Sequence, residues 1–153
     1  MKYLFIRHSL AVEREEFLGH DFDRPLSEKG VKRAKKFFKE VKKIYPDIDY
    51  IITSNAKRAL QTAEILKNFY PKSKFIKTAK LLPGAGIKEF KETVANKNGV
   101  LAIVAHQPDI EEIIKSLMYA PNLKIKLSKP SLVEIEENIL KALISYKHLK
   151  GCE

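Results

Sequence analysis

Apolar residues fall along this chain in short blocks of two different periods, and polar residues cluster where the blocks end. Residues 2–7, KYLFIR, and 49–55, DYIITSN, are short aromatic or β-branched runs of the kind that form buried strands. Residues 99–105, GVLAIVA, form the most continuous run and predict a central strand. Between these runs the apolar positions recur at helical spacing. Val31, Ala34, Phe37, Phe38, Val41 and Ile44 predict a helix capped by Ser27 and ended by Pro46-Asp47. Ala59, Ala63, Leu66 and Phe69 predict a second helix over 56–70, capped by Ser54 or Asn55 and followed by Pro71. Ile87, Phe90 and Val94 predict a short third, ending before Asn98-Gly99. Ile110, Ile113, Ile114, Leu117 and Met118 predict a fourth, opened by Gln107-Pro108 and stopped by Pro121. Residues 74–82, KFIKTAKLL, alternate weakly and predict a third strand before the turn PGAG. SLVEIEE (131–137) and ALISYKHL (142–149) flank Asn138 and predict a terminal hairpin.

The order β-α-β-α-β-α-β-α-β-β predicts an α/β fold. Its central sheet is mostly parallel, with helices on both faces and an antiparallel edge from the hairpin. The 153 residues carry no repeat, low-complexity segment or linker, so a single domain over 1–153 is expected.

Composition narrows the function classes. Hydrophobic residues make up 44% and charged residues 31%, which fits a soluble globular chain. Runs such as VLAIVA are far too short to span a bilayer, and the N-terminus lacks the pattern of a signal peptide. A cytoplasmic protein without membrane partners is expected. The one cysteine, Cys152, excludes an internal disulfide and a cysteine-based metal cluster. The net charge of +10 points to anionic partners. Of the 29 basic residues 24 are lysines, however, and most sit between the apolar positions of helices, as in VKRAKKFFKEVKKIY. That is the pattern of a solvated helix face rather than of a nucleic-acid patch.

The candidate chemistry lies at the strand ends. In open α/β sheets, ligands bind outside the carboxyl ends of the strands. The first strand ends in Arg7-His8-Ser9. The second ends in Thr53-Ser54-Asn55, with Arg58 just inside the next helix. The fourth ends in His106, followed by Pro108 and Asp109. Two of the four histidines and two of the five arginines are thus predicted to meet at one crevice. Arginine forks match phosphate oxygens, and helix N-termini favour an anion. One histidine can attack phosphorus while the other holds the transferring group. There is no Walker loop, kinase signature or aspartate cluster for magnesium, so a cofactor-free and metal-independent phosphoryl transfer through a phosphohistidine is expected.

Four segments carry a resemblance. FIRHS is similar to the Arg-His-Gly motif that opens the histidine phosphatase (phosphoglycerate mutase-like) superfamily. RPLSEKG (24–30) resembles that family's Pro-Leu-Thr/Ser-x-x-Gly helix entry. TSNAKRALQTAEIL (53–66) resembles its Thr-Ser-x-x-x-Arg-Ala-x-Gln-Thr-Ala segment, and VAHQPDI its second-histidine site. The matches run in order from residue 4 to about 110. The resemblance implies a phosphoglycerate mutase-like three-layer α/β/α sandwich. It also implies that His8 becomes phosphorylated, that Arg7 and Arg58 bind the phosphoryl oxygens, and that His106 helps to bind and stabilise the transferring group. The small size resembles most the short phosphohistidine phosphatases of the SixA type.

Three departures stand out. Ser9 and Ala105 replace glycines, and the Ser9 hydroxyl is a candidate phosphate contact. Third, many members carry an acid after the third strand that protonates a leaving alkoxide. Here that stretch reads KLLPGAG, with Pro83 at the acid's place, and no Asp directly follows His106. An imidazole leaves neutral when its other nitrogen is already protonated, so a phosphohistidine needs no such acid. The expected substrate is therefore phosphohistidine in a protein. Glu13, Glu15, Asp21 and Glu89 are the conceivable acids for the alternative, a phosphatase of small phosphomonoesters. A third reading is a basic module with an inactive pocket that binds nucleic acid or phosphoprotein. The intact set of four residues and the lack of aromatics among the basic residues count against it. A monomer is expected.

Overall fold

The structure, a computed structural model, describes residues 1–149 and 151; Cys152 lies outside the described residues. Strand β1 (Lys2–Arg7) leads through a loop with two short 3-10 turns to helix α1 (Glu28–Ile44). Then follow β2 (Tyr50–Ser54), α2 (Lys57–Phe69), β3 (Lys74–Thr78), α3 (Ile87–Val94), β4 (Val100–Ala105) and α4 (Asp109–Leu117). The hairpin β5 (Ser131–Glu136) and β6 (Ile139–Ser145) runs into a single turn, α5 (Tyr146–Leu149). The six strands form one sheet in the order β3-β2-β4-β1-β5-β6. β1, β2, β3 and β4 are parallel, and β5 is antiparallel to both of its neighbours.

Strand alternation sorts the core into two layers, because successive side chains leave a strand on opposite faces. Leu4 and Ile6 of β1 pack with Phe37, Phe38 and Val41 of α1 and with Ala59, Ala63 and Leu66 of α2. Phe5, between them, points the other way, into a cluster with Phe90 of α3 and Ile110, Ile113 and Ile114 of α4. Each fully buried Leu, Ile or Phe contributes roughly 1.5–3 kcal/mol. The sheet is thereby covered on both faces, in the expected α/β/α arrangement. Among the described residues, no helix is long and apolar enough to cross a membrane.

Most predicted elements stand within a residue or two of their expected ends. Ser27 caps α1 by accepting the Gly30 N–H at 3.0 Å. The hairpin turns at Glu137 and Asn138, both at positive φ (51° and 59°), the conformation of a two-residue turn matched to strand twist. Three details differ. β3 stops at Thr78, whose hydroxyl accepts the Lys80 N–H and opens a 3-10 turn that drives Leu81 into the core. β6 starts at Ile139 and ends at Ser145. Residues 146–149 turn helical because the Tyr146 N–H goes to the Pro130 carbonyl and the Ser145 N–H to His148 Nδ1. The cap position of α2 is Ala56, without a side-chain cap, and the Ser54 hydroxyl accepts the Ala56 N–H instead.

Candidate active site

The site is a consequence of register. β1 and β4 are parallel neighbours with Arg7 opposite Ala105. The next residue of each strand, His8 and His106, therefore leaves the sheet at the same level, and the two ring centroids lie 5.3 Å apart. β2 flanks β4 on the other side, with Thr53 opposite Val104. Ser54, at the end of β2, thus reaches His106, its Oγ 2.9 Å from Nε2. Arg58, on the first turn of α2, is 4% exposed and directs its guanidinium to Asp21, 3.3 Å from the carboxylate and 3.1 Å from the carbonyl. Arg7, the last residue of β1, donates to the Leu127 carbonyl. The strand-end residues named from the sequence, Arg7, His8, Arg58 and His106, all stand at this end of the sheet.

Hydrogen bonds set the state of each ring. His8 Nδ1 lies 2.7 Å from the Ser9 carbonyl oxygen, which can only accept. Nδ1 therefore holds the proton, and Nε2 carries the lone pair. Burial pushes the His8 pKa well below 6.5. The bond to Ser9 opposes this, and electrostatic interaction with His106, Arg58 and Lys129 adds to it. His106 is lowered to about 4, by burial first and then by Arg58, with Asp21 opposing and Arg7 adding. Both rings are neutral near pH 7. The Ser54 hydroxyl accepts the Ala56 N–H and pairs with His106 Nε2, which leaves His106 Nδ1 facing away from that bond. Among the described residues, the buried side-chain nitrogens left without a partner are that Nδ1 and Arg7 Nε. Buried polar atoms are normally paired; two unpartnered nitrogens at the same strand ends, one of them the always-protonated Arg7 Nε, mark a place suited to an anion.

Ser9 has a structural task. It is fully buried, its N–H goes to Thr62 Oγ1 at 3.1 Å, and its hydroxyl donates to the Gly30 carbonyl at 2.7 Å. The hydroxyl is thus committed to the entry of α1 and not to an anion. Thr62 in turn donates to the Arg58 carbonyl at 2.8 Å, joining the strand that leads to His8 to the helix that carries Arg58.

The acids Asp21, Glu89 and Asp109 are committed to other partners. Burial raises the Asp21 pKa, but the hydrogen bond from Arg24 and the charges of Arg58, Arg24 and Arg14 outweigh it and hold the carboxyl below its usual range. Glu89 accepts the Gly86 N–H at the start of α3. Glu13 and Glu15 are exposed. Asp109, 7% exposed, spends Oδ2 on the Gly84 N–H at 2.9 Å and so pins the turn that takes the place of the acid-bearing loop. Burial raises its pKa, against the Gly84 and Ala85 N–H groups. Among the described residues no cluster of three or more His, Cys, Asp or Glu side chains could hold a metal ion. Sequence reasoning gave Ser54 only a capping role and did not single out Lys129, which lies outside any motif and whose charge acts on His8.

The family profile described as Histidine phosphatase superfamily (branch 1) matches residues 3–81. The chain belongs to the histidine phosphatase superfamily. An uncharacterised protein of Picosynechococcus sp. is 31% identical over 125 residues, 78% of this chain and 74% of that one. Among solved structures, this superfamily member is similar to one from Agrobacterium tumefaciens named for the phosphohistidine phosphatase SixA. That likeness has a TM-score of 0.82 at 18% identity and covers 94% of this chain and 97% of the other. A protein histidine phosphatase SixA complexed with tungstate is similar at a TM-score of 0.81 and 17% identity, over 97% and 99% of the two chains. A phosphoserine phosphatase from Entamoeba histolytica in complex with 3-phosphoglyceric acid shares the fold at 0.68 and 18%, over 97% and 98%. These likenesses place the chain in the phosphoglycerate mutase-like fold.

Proposed function

We propose that the protein is a metal-independent phosphatase that works through a phosphohistidine on His8 and acts on phosphohistidine in proteins. One observation carries the reading: a neutral His8 with its lone pair on Nε2 stands beside a second imidazole and at the same strand ends as Arg7, whose Nε is an unpartnered buried donor. The His8 Nε2 lone pair attacks phosphorus and forms a P–N bond. The bond from phosphorus to the leaving atom breaks, and its electron pair stays on that atom. Arg7, Arg58 and His106 Nδ1 bind the peripheral oxygens, where charge spreads in the transition state. A water then attacks the phosphorus of phospho-His8. The P–N pair returns to Nε2, the water's proton goes to the solvent, and phosphate leaves. A protein histidine phosphatase SixA of the same fold is complexed with tungstate, an oxyanion, which supports the reading.

The leaving group decides the substrate. A substrate imidazole protonated on its other nitrogen departs neutral and asks for no acid. The commitment of Asp21, Glu89 and Asp109 to other partners supports that choice. Small phosphomonoesters are the second reading, favoured by the likeness to the phosphoserine phosphatase. Two measurements test the proposal. Brief reaction with a labelled phosphohistidine peptide is expected to give an acid-labile, alkali-stable phosphoenzyme that His8→Ala cannot form; a normal phosphoenzyme in that variant sinks the mechanism. A kcat/KM on sugar or nucleotide phosphates exceeding that on the peptide by orders of magnitude hands the substrate to the second reading.

A further inference from the structure

β5 runs antiparallel to β1, with Ser131 opposite Arg7. The residues that precede β5 therefore emerge at the same end of the sheet as His8 and His106. Arg7 touches this segment twice, through its register with Ser131 and through its hydrogen bond to the Leu127 carbonyl. Lys129 is the middle residue of that short span. It is half-buried, and among the described residues no acid lies within ion-pair distance of it. Asp21 is already engaged by Arg14, Arg24 and Arg58.

We infer that Lys129 is a fifth member of the anion site and contacts the oxygens of the transferring phosphoryl group. The inference rests on the phosphatase reading and adds a residue that none of the motifs carries. Two further observations agree with it. Burial lowers the Lys129 pKa, and the charges of Arg7, Arg24 and Arg58 lower it further, with only Glu13 opposing. A partly desolvated cation held among cations is unfavourable until an anion arrives. Lys129 also acts on His8 itself. The His8 Nε2 must come within bonding distance of phosphorus, so a cation that senses both His8 and Arg7 is placed toward the same group's oxygens. Ser131 Oγ, buried and unpartnered opposite Arg7, marks the same wall.

The test titrates inorganic phosphate into the full chain calorimetrically, for wild type, Lys129→Met, Lys129→Arg and Lys126→Met. Lys126 is an exposed lysine of the same segment. Lys129→Met is expected to weaken phosphate binding by about tenfold or more, the range of a hydrogen bond to a charged group. Lys129→Arg is expected to retain most of the affinity and Lys126→Met all of it. Thermal melts that match wild type exclude misfolding, and rescue by arginine excludes it independently. Unchanged binding in Lys129→Met, or an equal loss in Lys126→Met, overturns the inference. So does a loss seen only with acid-flanked phosphopeptides, because Lys129 would then read the peptide. If binding depends on Lys129 but wild type yields no phosphoenzyme, the phosphatase reading fails and the site stands. A wild-type chain that binds no phosphate overturns both.

Discussion

Two imidazoles with ring centroids 5.3 Å apart are kept neutral by burial, at 5% and 3% exposure, and this has a cost that depends on pH. In the unfolded chain each histidine titrates near 6.5, whereas in the fold His106 is lowered to about 4 and His8 well below 6.5. Below pH 6.5 the unfolded state therefore binds more protons than the folded one, so stability falls as the pH falls. The contribution is complete above pH 6.5 and is lost progressively as the pH drops toward 4. For His106 it is on the order of 3 kcal/mol. Denaturant midpoints measured between pH 7 and 4.5 in phosphate-free buffer are expected to decline, and the decline is expected to be shallower in His106→Gln, which has no proton to gain. Equal slopes in the two proteins contradict the assigned neutrality. The same neutrality keeps the His8 lone pair available well below pH 6.5, so the nucleophile alone sets no loss of kcat/KM between pH 7.5 and 6.5.

The entry of α1 is the element on which the segment after β1, with His8 and Ser9, leans. Gly30, on its first turn, accepts the Ser9 hydroxyl through its carbonyl, and a Cβ built there would meet the Leu10 carbonyl oxygen at 1.9 Å. Alanine for glycine inside a helix ordinarily stabilises by about 1 kcal/mol. Here overpacking against backbone reverses the sign, and Gly30→Ala is expected to destabilise by roughly 1–3 kcal/mol, read as a lower urea midpoint at unchanged slope. A gain in midpoint removes the packing argument. The element scale also separates what could be read in the sequence from what could not. α1, β1 and β4 announce themselves through periodic apolar residues, and Arg7, His8 and His106 stand next to such blocks. The 3-10 turn after Thr78 depends on a local bond from the Lys80 N–H to the Thr78 hydroxyl, and the helical turn at Tyr146 on the Pro130 carbonyl and the His148 ring, none of which leaves a period behind. Lys129 escapes for a related reason. It precedes an antiparallel strand, and only the pairing of Ser131 with Arg7 shows that its segment reaches the site. Ser9 replaces the family's glycine without strain because the task there is a pair of hydrogen bonds and not a positive φ.

Over the whole molecule the charge of +10 is unevenly expressed. Lys29, Lys32, Lys35, Lys36, Lys39 and Lys43 line the outer side of α1 and are exposed, whereas Arg7, Arg58 and Lys129 are drawn inward around the strand ends. The two populations act at different ranges. Exposed charges separated from a partner by more than about 10 Å are screened near 0.1 M salt, while charges inside the crevice are screened much less. A phosphorylated protein with an acidic surface meets both populations; inorganic phosphate meets chiefly the second. Raising salt from 20 to 300 mM is therefore expected to lower kcat/KM for an acidic phosphohistidine protein several-fold, through slower association, and to change competitive inhibition by tungstate much less. Steady-state assays of both quantities along one salt series decide the matter. Parallel declines place the whole effect in the crevice and make the lysine face a matter of solvation alone. A decline confined to the protein substrate assigns that face to capture, and neutralising Lys32, Lys35 and Lys39 together is then expected to flatten the salt dependence while leaving the phosphoenzyme on His8 intact.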